Sequence, residues 1–226
     1  MTAGSAFGLS AVIPLGPGDR ADELARSLKL SPRIGEVIVS ATTPTAGTPG
    51  ICDRWIHGSA GRGAQLNRGA AAARLSWLWF VHADSLLTSA TVHAAAEFAA
   101  AGNAAIGYCR LRFSNDGPRL ARLNALGANL RSRLLKQPYG DQGLLMPAAV
   151  FEGLGGFRED LPRGEDLDFI VRARLAGIPI RPVGATITTS ARRYREQGWL
   201  ATTWRHQFAA ARLIRNARRS TRSDGQ

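Results

Sequence analysis

Three stretches of the chain combine residue types that do chemistry. In Trp79-Phe80-Val81-His82-Ala83-Asp84 an apolar run ends in a histidine and a carboxylate. The run reads as a buried strand, and a carboxylate at its tip is placed to hold a hard cation against a substrate diphosphate. The competing role for Asp84 is to cap a helix beginning near Ser89. Glu165-Asp166-Leu167-Asp168 puts three acids in four residues at a helix start. The macrodipole favours acids there, but three exceed what capping needs. Their mutual repulsion raises at least one pKa, which suits a general base. In Gly61-Arg62-Gly63-Ala64-Gln65-Leu66-Asn67, small residues and an arginine precede a helix. Free N–H groups and a guanidinium make an anion site, although the spacing is neither a P-loop nor GxGxxG. A plain glycine-rich connection is the alternative.

Positioning these groups requires a scaffold, and hydrophobic periodicity supplies one. Leu9 to Ile13 reads as a strand ended by Pro14 and the loop 15–18, and Ala21 to Leu30 as a helix. Strands follow at Glu36 to Ser40 and Asp53 to Ile56, with a Thr, Pro, Gly and Ala loop at 41–50. A helix runs from Gly61 through Arg74, a buried strand from Trp77 to Val81, and a helix over 89–101 with Ser89 as N-cap and Gly102 as stop. Strands separated by helices of this length pair in parallel through right-handed crossovers, giving an α/β sandwich. Ligands then sit beyond the carboxyl ends of the strands, at Pro14 onward, Ser40 onward and His82 to Asp84. In the second half, 104–113 reads as a strand and 119–135 as a helix with Leu120, Leu123, Leu130 and Leu134 on one stripe. Pro138 to Gly143 precedes another apolar run, and Gly155-Gly156-Phe157 is a turn. Glu165 to Ala176 forms a helix stopped by Gly177, and 178–190 one or two strands. No repeat or long linker divides the chain, so a single domain is expected.

Composition narrows the partners. The 226 residues carry 29 basic against 17 acidic side chains, a net charge of +12, and all but Lys29 and Lys136 of the basic ones are arginines. An apolar share of 45% excludes wholesale disorder. The charge calls for anionic partners such as phosphates, a nucleotide, nucleic acid or an acidic membrane surface, unless it reflects coding bias. No nucleic-acid motif or basic-aromatic platform accompanies it, so nucleic acid is not expected. Cys52 and Cys109 read as reduced thiols without zinc spacing. No signal peptide and no bilayer-length apolar run are visible, so a cytoplasmic protein is expected, at most peripheral at the inner membrane face. Leu200, Trp204, Phe208 and Ala211 share a helical stripe that packs on the domain. Arginines at 212, 215, 218, 219 and 222 then face only Asp224, a basic tail suited to anionic lipid headgroups or simply to solvent.

Taken in order, EVIVS, GRGAQLNRGAAAA, WLWFVHAD, PYGDQGLLM, GGF, GEDLDF and TSARRY resemble family 2 glycosyltransferases of the GT-A fold. They look most like the radical-SAM/selenodomain-associated transferase 2 subgroup. The resemblance covers about residues 9–199, with 9–113 as the nucleotide and metal half, 114–199 as the acceptor half, and 200–226 as a basic C-terminal helix and tail. It implies a Rossmann-like α/β/α sandwich with a mixed, mostly parallel sheet. The implied reaction is metal-dependent, inverting transfer of a sugar from a nucleotide-diphosphate donor to an unidentified acceptor hydroxyl, a lipid-linked one among the candidates. By this resemblance Asp84 binds the divalent cation, Mn²⁺ or Mg²⁺, and His82 sits near the ribose or sugar. Asp166 is the base, with Glu165 beside it. Pro14, Arg62 and Asn67 lie against the nucleotide, Gly140, Asp141 and Gln142 line the sugar and acceptor side, and Arg192 and Arg193 approach the leaving diphosphate. Two departures stand out. Leu15-Gly16-Pro17 replaces the usual Asn-Glu after the first strand, and Val39-Ser40-Ala41-Thr42-Thr43 lacks the usual acid after the second. They leave a second reading, a degenerate GT-A domain that binds a nucleotide or partner without turnover.

Overall fold

The computed structural model describes residues 6–44, 50–116 and 121–191. The first half is β1 (Ala6–Leu15), α1 (Asp22–Lys29), β2 (Glu36–Ala41), β3 (Arg54–His57), α2 (Arg62–Ala72), β4 (Leu75–Phe80), β5 (Ser85–Leu86) and α3 (Ser89–Ala100). The second is β6 (Ile106–Phe113), α4 (Ala121–Leu135), a 3-10 turn at Gly140–Gln142, β7 (Leu145–Pro147), α5 (Ala148–Gly153), α6 (Glu165–Leu175) and β8 (Ile180–Thr189).

These strands form one sheet in the order β3-β2-β1-β4-β7-β6-β8-β5. β3, β2, β1 and β4 are parallel, as are β6 and β8, whereas β7 opposes both its neighbours and β5 opposes β8. The sheet is therefore mixed and mostly parallel, as expected. Side-chain alternation splits the core in two. Trp77, Trp79 and Val81 pack to one face with Ala25 and Leu28 of α1 and Val92 and Ala95 of α3. Leu78 and Phe80 point to the other, against Leu66 of α2, Phe151 of α5 and Phe169 and Ile170 of α6. Helices on both faces complete an α/β/α sandwich. On the second face Phe80, Phe151, Phe157 and Phe169 touch ring to ring at 5.0–5.5 Å, which fixes the turn before α6 and α6 itself to the tip of β4. α2 lies so close on β1 that a Cβ at Gly69 would stand 2.3 Å from Val12 Cγ1.

One expectation changes and three gain detail. The cap of α3 is Thr88, whose hydroxyl accepts the Thr91 N–H at 3.1 Å, and Ser89 is the first helical residue. This removes the capping alternative for Asp84. The apolar run after Gly143 is not one element: Pro147 ends β7 and is followed by α5. Residues 180–189 form a single strand. The leucines of α4 do share a stripe, but Ala125, Ala128 and Ser132 face the core while Leu123, Leu130 and Leu134 point to solvent. Leu120 and residues 200–226 lie outside the described residues. Both cysteines are free, and burial pushes the Cys109 thiol up to about 12, an inert core group.

Candidate active site

The reversed strand delivers the site. Because β7 runs against β4 and β6, its amino end lies at their carboxyl ends, and the preceding turn Gly140–Gln142 lands there. From β4 the chain passes Val81 and turns at His82–Asp84, with the Ser85 N–H donating to His82 O at 3.0 Å, before β5 pairs with β8. Across this edge α6 begins with Glu165 and Asp166. Asp166 Oδ2 accepts the Gly140 N–H at 2.6 Å, and Oδ1 accepts the Leu167 N–H at 2.7 Å. Those bonds aim the carboxylate and restrict its rotation. His82 approaches the same point: a Cβ at Gly140 would stand 2.8 Å from His82 Nε2 and 3.1 Å from Asp166 Oδ2. A side chain at 140 would have to displace one of them. Three segments far apart in sequence therefore meet at Gly140.

The electrostatics follow from this convergence. Asp141 Oδ1 is buried without a hydrogen-bond partner. Its carboxyl is pushed up to about 6, first by burial, then by the charges of Asp166 and Asp84, against the pull of Arg131 and Arg62. Glu165 is buried and held above the usual carboxylate range by burial and by Asp166, while Arg62 Nε stands 3.8 Å from its Oε1. The Arg131 guanidinium lies 3.5 Å above the Tyr139 ring, its Nε donates to Gln137 O at 2.9 Å, and its Nη2 is buried unpartnered. Asp141 thus feels Asp166, Asp84, Arg131 and Arg62 together, and Glu165 feels Asp166 and Arg62. Asp84 is exposed at the rim. Among the described residues no three His, Cys, Asp or Glu side chains converge on one ligation point. To an incoming divalent ion Asp84 would offer one exposed hard oxygen, and Asp141, whose Oδ1 is buried without a hydrogen-bond partner, lies within reach of the Asp84 charge.

Several expected ligand residues are held by the protein instead. Asn67 donates to Phe157 O and Glu159 Oε1, both at 2.8 Å, and accepts the Phe157 N–H at 2.9 Å. Its amide braces the turn ahead of α6. Gln142 is wholly buried, accepting from Ser132 Oγ at 2.6 Å and Tyr139 N–H at 3.2 Å and donating to Cys109 O at 3.1 Å. It supports the 140–142 turn from beneath. Pro14 is buried within β1 opposite Ser40. Asp168 pairs with Arg172 at 2.9 Å, and Arg172 also donates to Leu154 O and Gly156 O. Arg192 and Arg193 lie outside the described residues. Where the second strand lacks its acid, the Ser40 and Thr42 hydroxyls are buried without hydrogen-bond partners. Sequence reasoning passed over Gln65, which donates to Leu15 O at 2.8 Å and Ser40 O at 3.0 Å and ties the ends of β1 and β2 together. It also missed Arg131 and Tyr139. Gln65 lies inside the glycine-rich stretch that drew attention, whereas no local signal marks Arg131.

A Rossmann-like α/β/α sandwich with a reversed strand beside its central one, gathering carboxylates at one edge, is the GT-A type of glycosyltransferase fold. Solved structures of Staphylococcus aureus TarS share it. The TarS structure matches over 83% of this chain and 37% of its own at 16% identity and a TM-score of 0.60. TarS 1–349 in complex with UDP-GlcNAc matches over 81% and 58%, at 18% identity and a TM-score of 0.61. Its complex with UDP matches over 82% and 61%, at 17% identity and a TM-score of 0.59. The chain therefore spans 37–61% of the length of these TarS chains, and the likeness is one of fold. No protein-family model and no curated protein matches the sequence.

Proposed function

We propose that this chain transfers a sugar from a nucleoside-diphosphate donor to an acceptor hydroxyl, with inversion at the anomeric carbon. The observation that carries this reading is the Asp166 carboxylate, fixed by the Gly140 and Leu167 N–H groups beside His82 and Asp141 at the carboxyl edge of a GT-A-type sheet. In this role Asp166 accepts the acceptor proton, the freed oxygen attacks the anomeric carbon, and the bond to the diphosphate oxygen breaks on the far side. That is one displacement with one base. Arg62, exposed at the start of α2, is positioned to balance negative charge near Glu165 and Asp141. Asp84 would hold a divalent cation, which when bound offsets the charge that grows on the departing diphosphate. The UDP and UDP-GlcNAc held by TarS in its structures make UDP-linked sugars the first donors to try.

A second reading, nucleotide binding without turnover, draws on the missing acids after β1 and β2 and on the engaged amide of Asn67. A thermal-shift titration of the full-length protein with UDP and other nucleoside diphosphates, with and without Mn²⁺, followed by donor hydrolysis, separates the two. A nucleotide at 100-fold over its Kd contributes about 2.7 kcal/mol, or about 5–10 °C in midpoint. Asp84→Asn should remove the Mn²⁺-dependent part and leave the fold intact. Binding without hydrolysis or transfer favours the second reading, and no shift with any nucleotide overturns both.

A further inference from the structure

An amphipathic helix normally turns its apolar stripe inward, and α4 does the reverse. Leu123, Leu126, Leu130 and Leu134 recur at spacings of three, four and four, which places them within one narrow arc of the helix. They are 55–66% exposed, while Ala125, Ala128 and Ser132 on the opposite side are buried. The core contact of α4 is thus made by small residues, and all five of its leucines, Leu135 at its end included, are exposed. Charge accompanies the stripe. α4 contains no acid, and Arg122 and Arg133 flank the leucines. Beside the helix a cleft of about 740 Å³ opens over β6 and β8, with Arg110, Arg112, Thr186 and Thr188 among its lining and no acidic side chain. Among the described residues none of Arg110, Arg112, Arg122 and Arg133 forms an ion pair. Asp116, in the turn after β6, has its carboxylate taken up by Ser114, Ser190 and the Ala191 N–H.

From this we infer that α4 and the mouth of the β6–β8 cleft form a docking face for an anionic lipid bilayer. Leucines at the centre and arginines without a carboxylate partner at the flank, Arg122 held only by Asn115 Oδ1 at 3.1 Å, complement acyl chains below a layer of negative headgroups. The chain's own C-terminal segment is a poorer occupant, because residues 192–226 carry nine arginines against two acids and would bring like charge to this face. No helix among the described residues is long and apolar enough to cross a membrane, so the contact is peripheral. The face also adjoins the candidate active site: four residues separate the end of α4 from Gly140, and its Arg131 stacks on Tyr139. The inference does not depend on the proposed chemistry.

The test is co-sedimentation of the full-length protein with phosphatidylcholine vesicles, with and without phosphatidylglycerol, at low and high salt. Wild type should pellet with the anionic vesicles at least ~tenfold better than with the neutral ones, and salt should weaken that binding. The exposed pair change Leu126→Gln with Leu130→Gln, checked for an unaltered melting midpoint, should lower partitioning at least ~tenfold. Arg110→Gln with Arg112→Gln should remove part of the preference for anionic vesicles. Soluble glycerol phosphate should not compete, since a free phosphate lacks the acyl contact. The inference fails if the leucine pair pellets like wild type. It fails equally if Arg218→Gln with Arg219→Gln alone abolishes binding, which would assign the contact to the tail. A concentration-dependent dimer that the leucine pair dissociates would overturn it in favour of a second copy of the chain.

Discussion

Asp141 offers the sharpest test of the site, because its burial costs stability that ligand binding can recover. Its carboxyl is pushed from the ordinary 3.8 up to about 6, with burial first and the charges of Asp166 and Asp84 next. A carboxyl whose folded pKa is raised makes no demand below the unfolded value. As pH climbs from about 4 to about 6 the folded state holds the proton longer than the unfolded one, so stability falls across that window and stays low above it. At about 1.4 kcal/mol for each pH unit, the full penalty above pH 6 is about 3 kcal/mol. Asp141→Asn keeps the shape and removes the charge. At pH 8 it should therefore melt higher than wild type by up to about 6–12 °C, taking 2–4 °C for each kcal/mol in a chain of this size. The advantage should close toward pH 4, where both chains are neutral at this position. Differential scanning calorimetry at the two pH values measures it directly. If Asp141→Asn melts no higher than wild type at pH 8, or if its advantage is the same at pH 4, the carboxylate is not held in an unfavourable field and the account of the site is wrong.

Other consequences are simpler. Asp166→Asn should retain nucleotide binding yet lower transfer, followed by UDP release, at least ~10²-fold, whereas Glu165→Gln should cost less; near-wild-type turnover in Asp166→Asn would hand the base role to Asp141 or Asp168. Gly140→Ala forces a Cβ against His82 Nε2 and weakens the 2.6 Å bond to Asp166, so turnover should fall roughly 30-fold for about 2 kcal/mol lost, and unchanged kinetics would show that the bond does not orient the carboxylate. Asn67→Ala strands the main chain of Phe157 and should lower urea stability by about 2 kcal/mol, and an unchanged midpoint would mean that the amide is not a brace.

Much of the fold was legible because hydrophobic periodicity is a local record of which faces are covered. Strands β1, β2 and β4 and helices α1, α2, α3 and α6 lie close to where apolar spacing and turn residues put them. Asp84 and the Glu165-Asp166 pair were legible for a similar reason, since an acid at a strand tip or a helix start is conspicuous against its own neighbours. What each polar side chain faces was not. Asn67 and Gln142 look like ligand residues in sequence, and the structure spends their amides on Phe157 and Cys109, 90 and 33 residues away. Arg131 carries no local mark and enters the site only because α4 passes under Tyr139. The stripe on α4 is the plainest case: spacing determines that four leucines lie on one side of the helix, but not that the side faces outward. An amide, a guanidinium or an apolar stripe has a fixed chemistry and no fixed partner. The sequence by itself determined the elements and their chemistry, while only the tertiary structure decided the pairings, because a hydrogen bond or a buried face is defined by two surfaces and a local pattern describes one.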